Sequence, residues 1–272
     1  RDMLVIALGG GVLTDLVHFA ATTYKRGVDC LLMPTSLLGM VDASVGGKTG
    51  INLKGYKNVI GSFADPKAVW IDTQFLQTLP EKEKHNGLAE SIKHGIIEGK
   101  GLWQFLKSQP KLNKVDWPRL VSDSLQVKLK IVKRDFRDKG VRQVLNFGHT
   151  FGHALESWSL TTEEPLHHGE AIAIGMVYET WIAHFNHHLS KRSANTITRT
   201  IRHFFPHLSL EPYTLDDLQP YLQQDKKKQG HALRYALPYK PGQVRYGEVV
   251  PDNALLEKAF LATQSIFTPS WA

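Results

Sequence analysis

One cysteine, Cys30, is all that the 272 residues contain, so no internal disulfide can form and a structural zinc site built on several thiolates is excluded. Its apolar neighbours in VDCLLMP predict a buried strand residue instead of a reactive thiol. No apolar run approaches the roughly 20 residues of a bilayer-spanning helix, and the start RDMLVIALGGG lacks the cleavage pattern of a secretory signal. A soluble, cytoplasmic protein with no membrane partner is expected. Long blocks of like charge are missing too. The net charge of +7 and pI near 9.3 would suit nucleic acid, an anionic membrane or an acidic small molecule. The densest basic run, Lys226 to Lys228, is short and follows Asp225, which argues against a nucleic-acid arm. A phosphorylated substrate accounts for the charge at least as well, with many individual lysines simply solvated. Repeats and low-complexity segments are also lacking.

What is present is enough apolar sequence, 42%, for two ordinary domains. Met3 to Leu8 is an apolar run that ends in Gly9, Gly10 and Gly11, and a helical pattern follows from Val12 to Tyr24. Further strands are expected at 29–33, stopped by Pro34, and at 68–71, closed by Asp72. Strands alternating with helices imply a parallel α/β sheet. Beyond Pro80 helical patterns take over, at 81–97, 103–107, 117–134, 144–158, 169–188 and 194–204, with a late strand pair at 233–237 and 243–247 around Pro241 and Gly242.

Three groups of residues carry candidate chemistry. Backbone amides bared by glycine at a helix start form a seat for a pyrophosphate, so GGGVLTD points to a nucleotide, although the full GxGxxG fingerprint is absent and a plain turn is as good a reading of the triplet alone. The stretch PTSLLGMVDASVGGKTGINLKGYKNVIG sets Asp42, Lys48, Lys57 and Asn58 among glycines that allow close ligand approach. Two lysines can hold a phosphate, and Asp42 can orient a hydroxyl or a cofactor. In NFGHTFGHALE, His149 and His153 are four apart and share a helical face, about 40° apart. Glu90 in GLAESIKHGI and His168 in HHGEAIAIG add a carboxylate and a third imidazole. Two imidazoles and a carboxylate with an open position form a catalytic zinc sphere. Thirteen histidines make a chance His-x3-His pair common, so the pair alone does not decide.

Six segments in order, GGGVLTDL, PTSLL to GGKTG, GYKNVIG, GLAESIKHG, RQVLNFGHTFGHALE and HHGEAIAIGM, resemble the successive motifs of the 3-dehydroquinate synthases, a group within the sugar phosphate cyclases. The resemblance covers nearly the whole chain. It implies a partial Rossmann-like parallel-sheet domain over residues 1–80, the C-terminal part of an NAD-binding α/β domain, followed by a mainly α-helical metal- and substrate-binding domain over 81–272. It implies Glu90, His149 and His168 as ligands of zinc, with cobalt as a substitute, and NAD contacts at Gly10, Gly11, Asp15, Thr35, Ser36, Leu38, Asp42, Lys48, Lys57 and Thr78. Substrate groups correspond to Asp42, Lys48, Lys93, Lys128, Arg142 and Asn146, with Lys226 or Lys227 as a late closing lysine; Lys57, Asn58 and His153 surround the leaving phosphate. Arg26 matches an arginine that the family supplies across a homodimer interface.

The activity implied is a phosphate-eliminating cyclisation of 3-deoxy-D-arabino-heptulosonate 7-phosphate (DAHP) to 3-dehydroquinate in the shikimate pathway. An alcohol is transiently oxidised by NAD, phosphate leaves, the ketone is reduced, and ring opening and an aldol step close the carbocycle. Related cyclases of the 2-deoxy-scyllo-inosose synthase type, a metal-dependent polyol dehydrogenase, and a basic binding protein without activity are the rival readings. The sequence departs from the family pattern at Thr14, where glycine is usual, at Phe136, where an acid is usual, and by three extra residues between His149 and His168. The chain also begins where the family has already completed the first half of its nucleotide domain. An exposed apolar face and an unpaired strand edge are expected there, with weakened NAD binding.

Overall fold

A computed structural model describes residues 3–53, 56–209, 213–228 and 233–267, without side-chain detail over 52–58 and 224–228. In chain order the elements are β1 (Leu4–Gly9), α1 (Gly11–Thr23), β2 (Asp29–Pro34), β3 (Lys48–Leu53), β4 (Tyr56–Phe63), β5 (Ala68–Val69), α2 (Glu81–Glu98) and α3 (Gly101–Ser108). They continue with α4 (Trp117–Arg134), α5 (His149–Ser159), α6 (His168–Phe185), α7 (Lys191–Phe204), α8 (Leu215–Lys228), β6 (Tyr235–Lys240), β7 (Gln243–Glu248) and α9 (Asn253–Phe267). No helix among the described residues is long and apolar enough to cross a membrane. Two compact units result, Arg1–Ser91 with Asp116–Arg142, and Ile92–Val115 with Gln143–Ala272. This division differs from the single boundary after residue 80 read from the sequence, chiefly because α4 folds with the first unit. Asp116 caps that helix by accepting from the Arg119 amide at 3.1 Å. Along it Leu120, Val121, Ser124, Lys128, Ile131 and Val132 are buried, a helical stripe that ends on an ion pair from Lys128 to Asp42 Oδ1 at 2.5 Å.

In the first unit the parallel sheet has the order β1-β2-β5, and β5 is only two residues long. Ala7, Ala21, Cys30 and Leu32 form its core, so Cys30 is the buried strand residue that its neighbours predicted. Alternate residues of β1 show the opposite behaviour: Leu4, Ile6 and Leu8 are each more than half exposed, at 54%, 55% and 53%, and among the described residues β1 pairs on one side only. Among the described residues β1 thus presents an apolar face and an unpaired edge. A hairpin of β3 and β4, not anticipated from the sequence, occupies the glycine-rich stretch after Asp42.

The second unit is built around α6. Every residue from Gly169 to Ala183 is buried, mostly apolar side chains on all faces with Glu170, Glu179 and Thr180 among them. Helices α5, α7 and α9 and strand β6 pack around it. The sequence reading of one helix over 144–158 is corrected here: a 3-10 turn covers Val141–Asn146, Gly148 takes φ +83°, and α5 starts only at His149. A left-handed residue cannot continue an α-helix, and glycine adopts it without a Cβ clash. Helices α8 and α9 were not anticipated, whereas the late strand pair is present as β6 and β7 with Pro241 and Gly242 at its turn.

Candidate active site

The first unit gathers its polar groups at the carboxyl ends of β1 and β2, the usual ligand side of an open α/β sheet. The Thr35 amide donates to Gly9 O at 2.8 Å and so joins the two strand ends. Gly10 caps α1 with Ser36 beside it, and the Ser36 hydroxyl accepts from the Gly39 amide at 3.2 Å. Thr14, the departure from the family pattern, is fully buried, and its hydroxyl donates to Gly11 O at 2.9 Å. The extra hydroxyl is thus spent on a backbone carbonyl in the first turn of α1.

Asp42 lies on a short π-turn, Gly39–Ala43, where Lys128 holds both its carboxylate and its backbone carbonyl. Arg142 is buried and donates through Nη1 to Gly46 O at 2.8 Å and to Phe136 O at 2.7 Å. Phe136, the second departure, therefore contributes a carbonyl to the arginine while its ring packs on Phe63, 5.9 Å between centroids. Asp135 accepts from the amides of Lys139, Gly140 and Arg142, which holds its pKa below the usual carboxylate range. Lys48, on β3, reaches Asp138 at 2.5 Å.

Asp15, one turn into α1, has its pKa pushed up to about 7, first by burial and then by the Asp42 carboxylate, with Lys128 opposing. An acid with a raised folded-state pKa is penalised once ionised. Between the ordinary value and about 7 the folded state binds more protons than the unfolded chain, so this group's contribution to stability falls as pH rises through that window. Asp15→Asn should therefore melt several degrees above the parent chain at about pH 8, and the gain should vanish near pH 4. Thermal melts at both values check this; a gain of the same size at both would assign it to something other than the charge.

The second unit brings the histidines together. His149 opens α5, His153 lies one turn on, and His168 opens α6; ring centroids are 5.0 Å apart for His149 and His153, 5.7 Å for His149 and His168, and 5.8 Å for His153 and His168. Glu156, on the same side of α5, lies 3.5 Å from His168 Nδ1, and His153, Glu156 and His168 can point donor atoms to one place. Neither Glu156 nor the fully buried Glu179 of α6 was singled out from the sequence, although a lone acid inside GMVYETWIA was a usable signal. The α5–α6 contact that sets these distances is made through glycine: a Cβ on Gly175 would stand 2.0 Å from Gly148 O.

The remaining sequence-assigned residues are placed as follows. Glu90 is fully buried on α2, and Lys93 further along that helix is 2% exposed. Asn146 ends the 3-10 turn before Gly148 and is exposed. Leu38 is half-buried just before the π-turn, and Thr78 is exposed at the end of a 3-10 turn over Thr73–Gln77. Arg26 is exposed, with φ +68°, in the turn after α1. Lys57 and Asn58 fall on β4, and Lys226 and Lys227 on the end of α8, all with side chains outside the described ones.

Sequence profiles of the N-terminal and C-terminal regions of 3-dehydroquinate synthase match residues 1–86 and 87–228. The chain belongs to the 3-dehydroquinate synthase family. A 3-dehydroquinate synthase of Crocosphaera subtropica is 41% identical over 265 residues, 94% of this chain and 71% of the relative. One from Alkaliphilus metalliredigens is 40% identical over 93% of this chain and 72% of its own length. Among solved structures, 2-epi-5-epi-valiolone synthase from Streptomyces hygroscopicus subsp. jinggangensis, with NAD+ and Zn2+ bound, superposes with a TM-score of 0.83 at 28% identity, covering 97% of this chain and 74% of that one. A 2-deoxy-scyllo-inosose synthase complexed with carbaglucose-6-phosphate, NAD+ and Co2+ gives 0.82 at 23% identity, over 97% of this chain and 74% of that one, a likeness of fold.

Proposed function

We propose that this chain catalyses the 3-dehydroquinate synthase reaction, converting DAHP to 3-dehydroquinate and phosphate with NAD and a divalent metal. The observation that carries the reading is the meeting of His149 and His168, ring centroids 5.7 Å apart, in a chain whose sequence follows 3-dehydroquinate synthases over 94% of its length. The donor chemistry fits a catalytic zinc: imidazoles and carboxylates, with no thiolate to close the sphere. Glu90, His149 and His168 would hold the ion, and zinc or cobalt both suit such ligands. When bound, NAD accepts and returns a hydride, and the metal acts as a Lewis acid.

The chain's own groups have separable tasks. Gly10, Gly11, Thr35, Ser36, Leu38 and Thr78 would seat NAD, with the amides at the start of α1 facing its pyrophosphate. Asp15 would be a further NAD contact and Asp42 would orient the nicotinamide end, while Lys128 fixes the direction of the Asp42 carboxylate. Lys48, Lys93, Lys128, Arg142, Asn146 and Lys226 or Lys227 would hold the carboxylate and other oxygens of the substrate, so orientation supplies a large share of the rate. Lys57, Asn58 and His153 would hold the phosphate as it leaves; phosphate's own oxygen takes the neighbouring proton, and His153 donates a hydrogen bond to it. Arg26 would enter the site of a second copy, which makes the working form a homodimer.

The test is incubation of the full-length protein with DAHP, NAD and zinc, measuring phosphate and 3-dehydroquinate together. Equal release of both is expected. Turnover of glucose 6-phosphate with no action on DAHP would favour an inosose synthase, and hydride transfer without phosphate release a dehydrogenase. Arg142 and Lys128, which suit a carboxylate, favour the first outcome.

A further inference from the structure

A metal-binding imidazole must keep its proton on one nitrogen and offer the other. His149 Nδ1 lies 3.3 Å from the carbonyl oxygen of Phe147, an atom that can only accept, so this contact favours the tautomer that carries its proton on Nδ1 and offers Nε2 to a metal. The other end of that same peptide unit, the Gly148 N–H, donates to Glu179 Oε2 at 2.7 Å. Glu179 is fully buried in the middle of α6, where a carboxylate is costly to keep. Gly148 makes the approach possible, since a Cβ there would lie 2.5 Å from Met176 Cγ.

We propose that Glu179 is a positioning residue for the metal centre and acts on His149 through the Phe147–Gly148 peptide. An amide is a resonance system, so an anion at its N–H draws electron density onto its carbonyl oxygen. That oxygen then accepts more strongly from Nδ1–H, which fixes the tautomer and ring orientation and strengthens Nε2 as a donor. In many metal sites a carboxylate or a carbonyl meets the imidazole directly; here the carboxylate stands one peptide away. The inference rests on His149 being a metal ligand, as proposed above.

Glu179→Gln is the informative variant, because a glutamine oxygen can still accept from the Gly148 amide while the charge is gone. A purely structural role would leave zinc affinity unchanged. The zinc dissociation constant, measured against a competing chelator, is expected to rise about tenfold while one zinc per chain is still bound. An unchanged constant in a folded Glu179→Gln protein would overturn the inference, whereas stoichiometric zinc in His149→Ala would overturn the ligand assignment itself, so the two failures are distinguishable. Should Glu179→Gln not fold, nitrogen NMR on the unaltered metal-free protein decides, with the His149 signal assigned by its absence in His149→Ala. Protonation at Nδ1 is expected, and protonation at Nε2 would overturn the inference.

Discussion

His149→Ala should reduce bound zinc from about one ion per chain to near none and lower turnover of DAHP by roughly a thousandfold or more. The proposed ligand set has one carboxylate and two imidazoles, and removing one imidazole leaves too few groups to hold a four-coordinate ion in dilute solution. The fold should survive the change. His149 is the first residue of α5, it is half-buried, and alanine is a better helix former than histidine. Its ring touches the rings of His153 and His168 instead of filling the unit's core. Metal analysis of the purified variant, with a thermal melt of both proteins freed of metal, checks the prediction. Stoichiometric zinc in the variant would move the metal to other donors, of which His153, Glu156 and His168 are already grouped. A melt far below that of the metal-free parent would instead give His149 a structural role.

The parts of the fold that were legible in the sequence are those where one local signal governs. The apolar run before Gly9 and the helical pattern after it specify β1, the turn and α1 without help from the rest of the chain. The amphipathic stripe of α4 and the long, mostly apolar run of α6 are similarly explicit. The hairpin of β3 and β4 was hidden because its strands, KTGINL and YKNVIGSF, interleave lysine, asparagine and glycine, a composition equally suited to a ligand loop. Helix α8 was hidden by Pro220 and the lysine run within it. The break at Gly148 was hidden for a subtler reason: glycine inside a helical pattern reads the same whether it continues the helix or turns left-handed, and only packing against α6 decides. The histidine pair was visible through spacing, and its likeness to a family gave it a role. Glu179 needed a tertiary fact, the approach of α6 to the Phe147–Gly148 peptide, which no spacing contains.

That approach leads to the second large effect, expected for Gly175→Ala. Alanine on the interior of α6 would ordinarily add stability, by up to about 1 kcal/mol relative to glycine. Here its Cβ would stand 2.0 Å from Gly148 O, 2.8 Å from Gly152 N and 3.0 Å from Gly148 C. Carbon and carbonyl oxygen ordinarily approach no closer than about 3.3 Å, so the helices would have to part by more than about 1 Å. The obstructing atoms are backbone at the start of α5 and cannot swing aside as the end of a side chain would. Overpacking of this kind costs about 3 kcal/mol or more, which exceeds the gain in helix propensity and lowers the melting temperature by roughly 10 °C. The same separation would draw His149 away from His168 and the Gly148 amide away from Glu179, so zinc affinity should fall together with stability. Gly101→Ala is the control, because nothing lies within 4 Å of a Cβ at that position and its melt should be unchanged or slightly higher. A Gly175→Ala protein that melts with the parent and binds zinc as tightly would show that α5 and α6 can separate without cost, and that the glycine contact does not set the spacing of the metal-binding imidazoles.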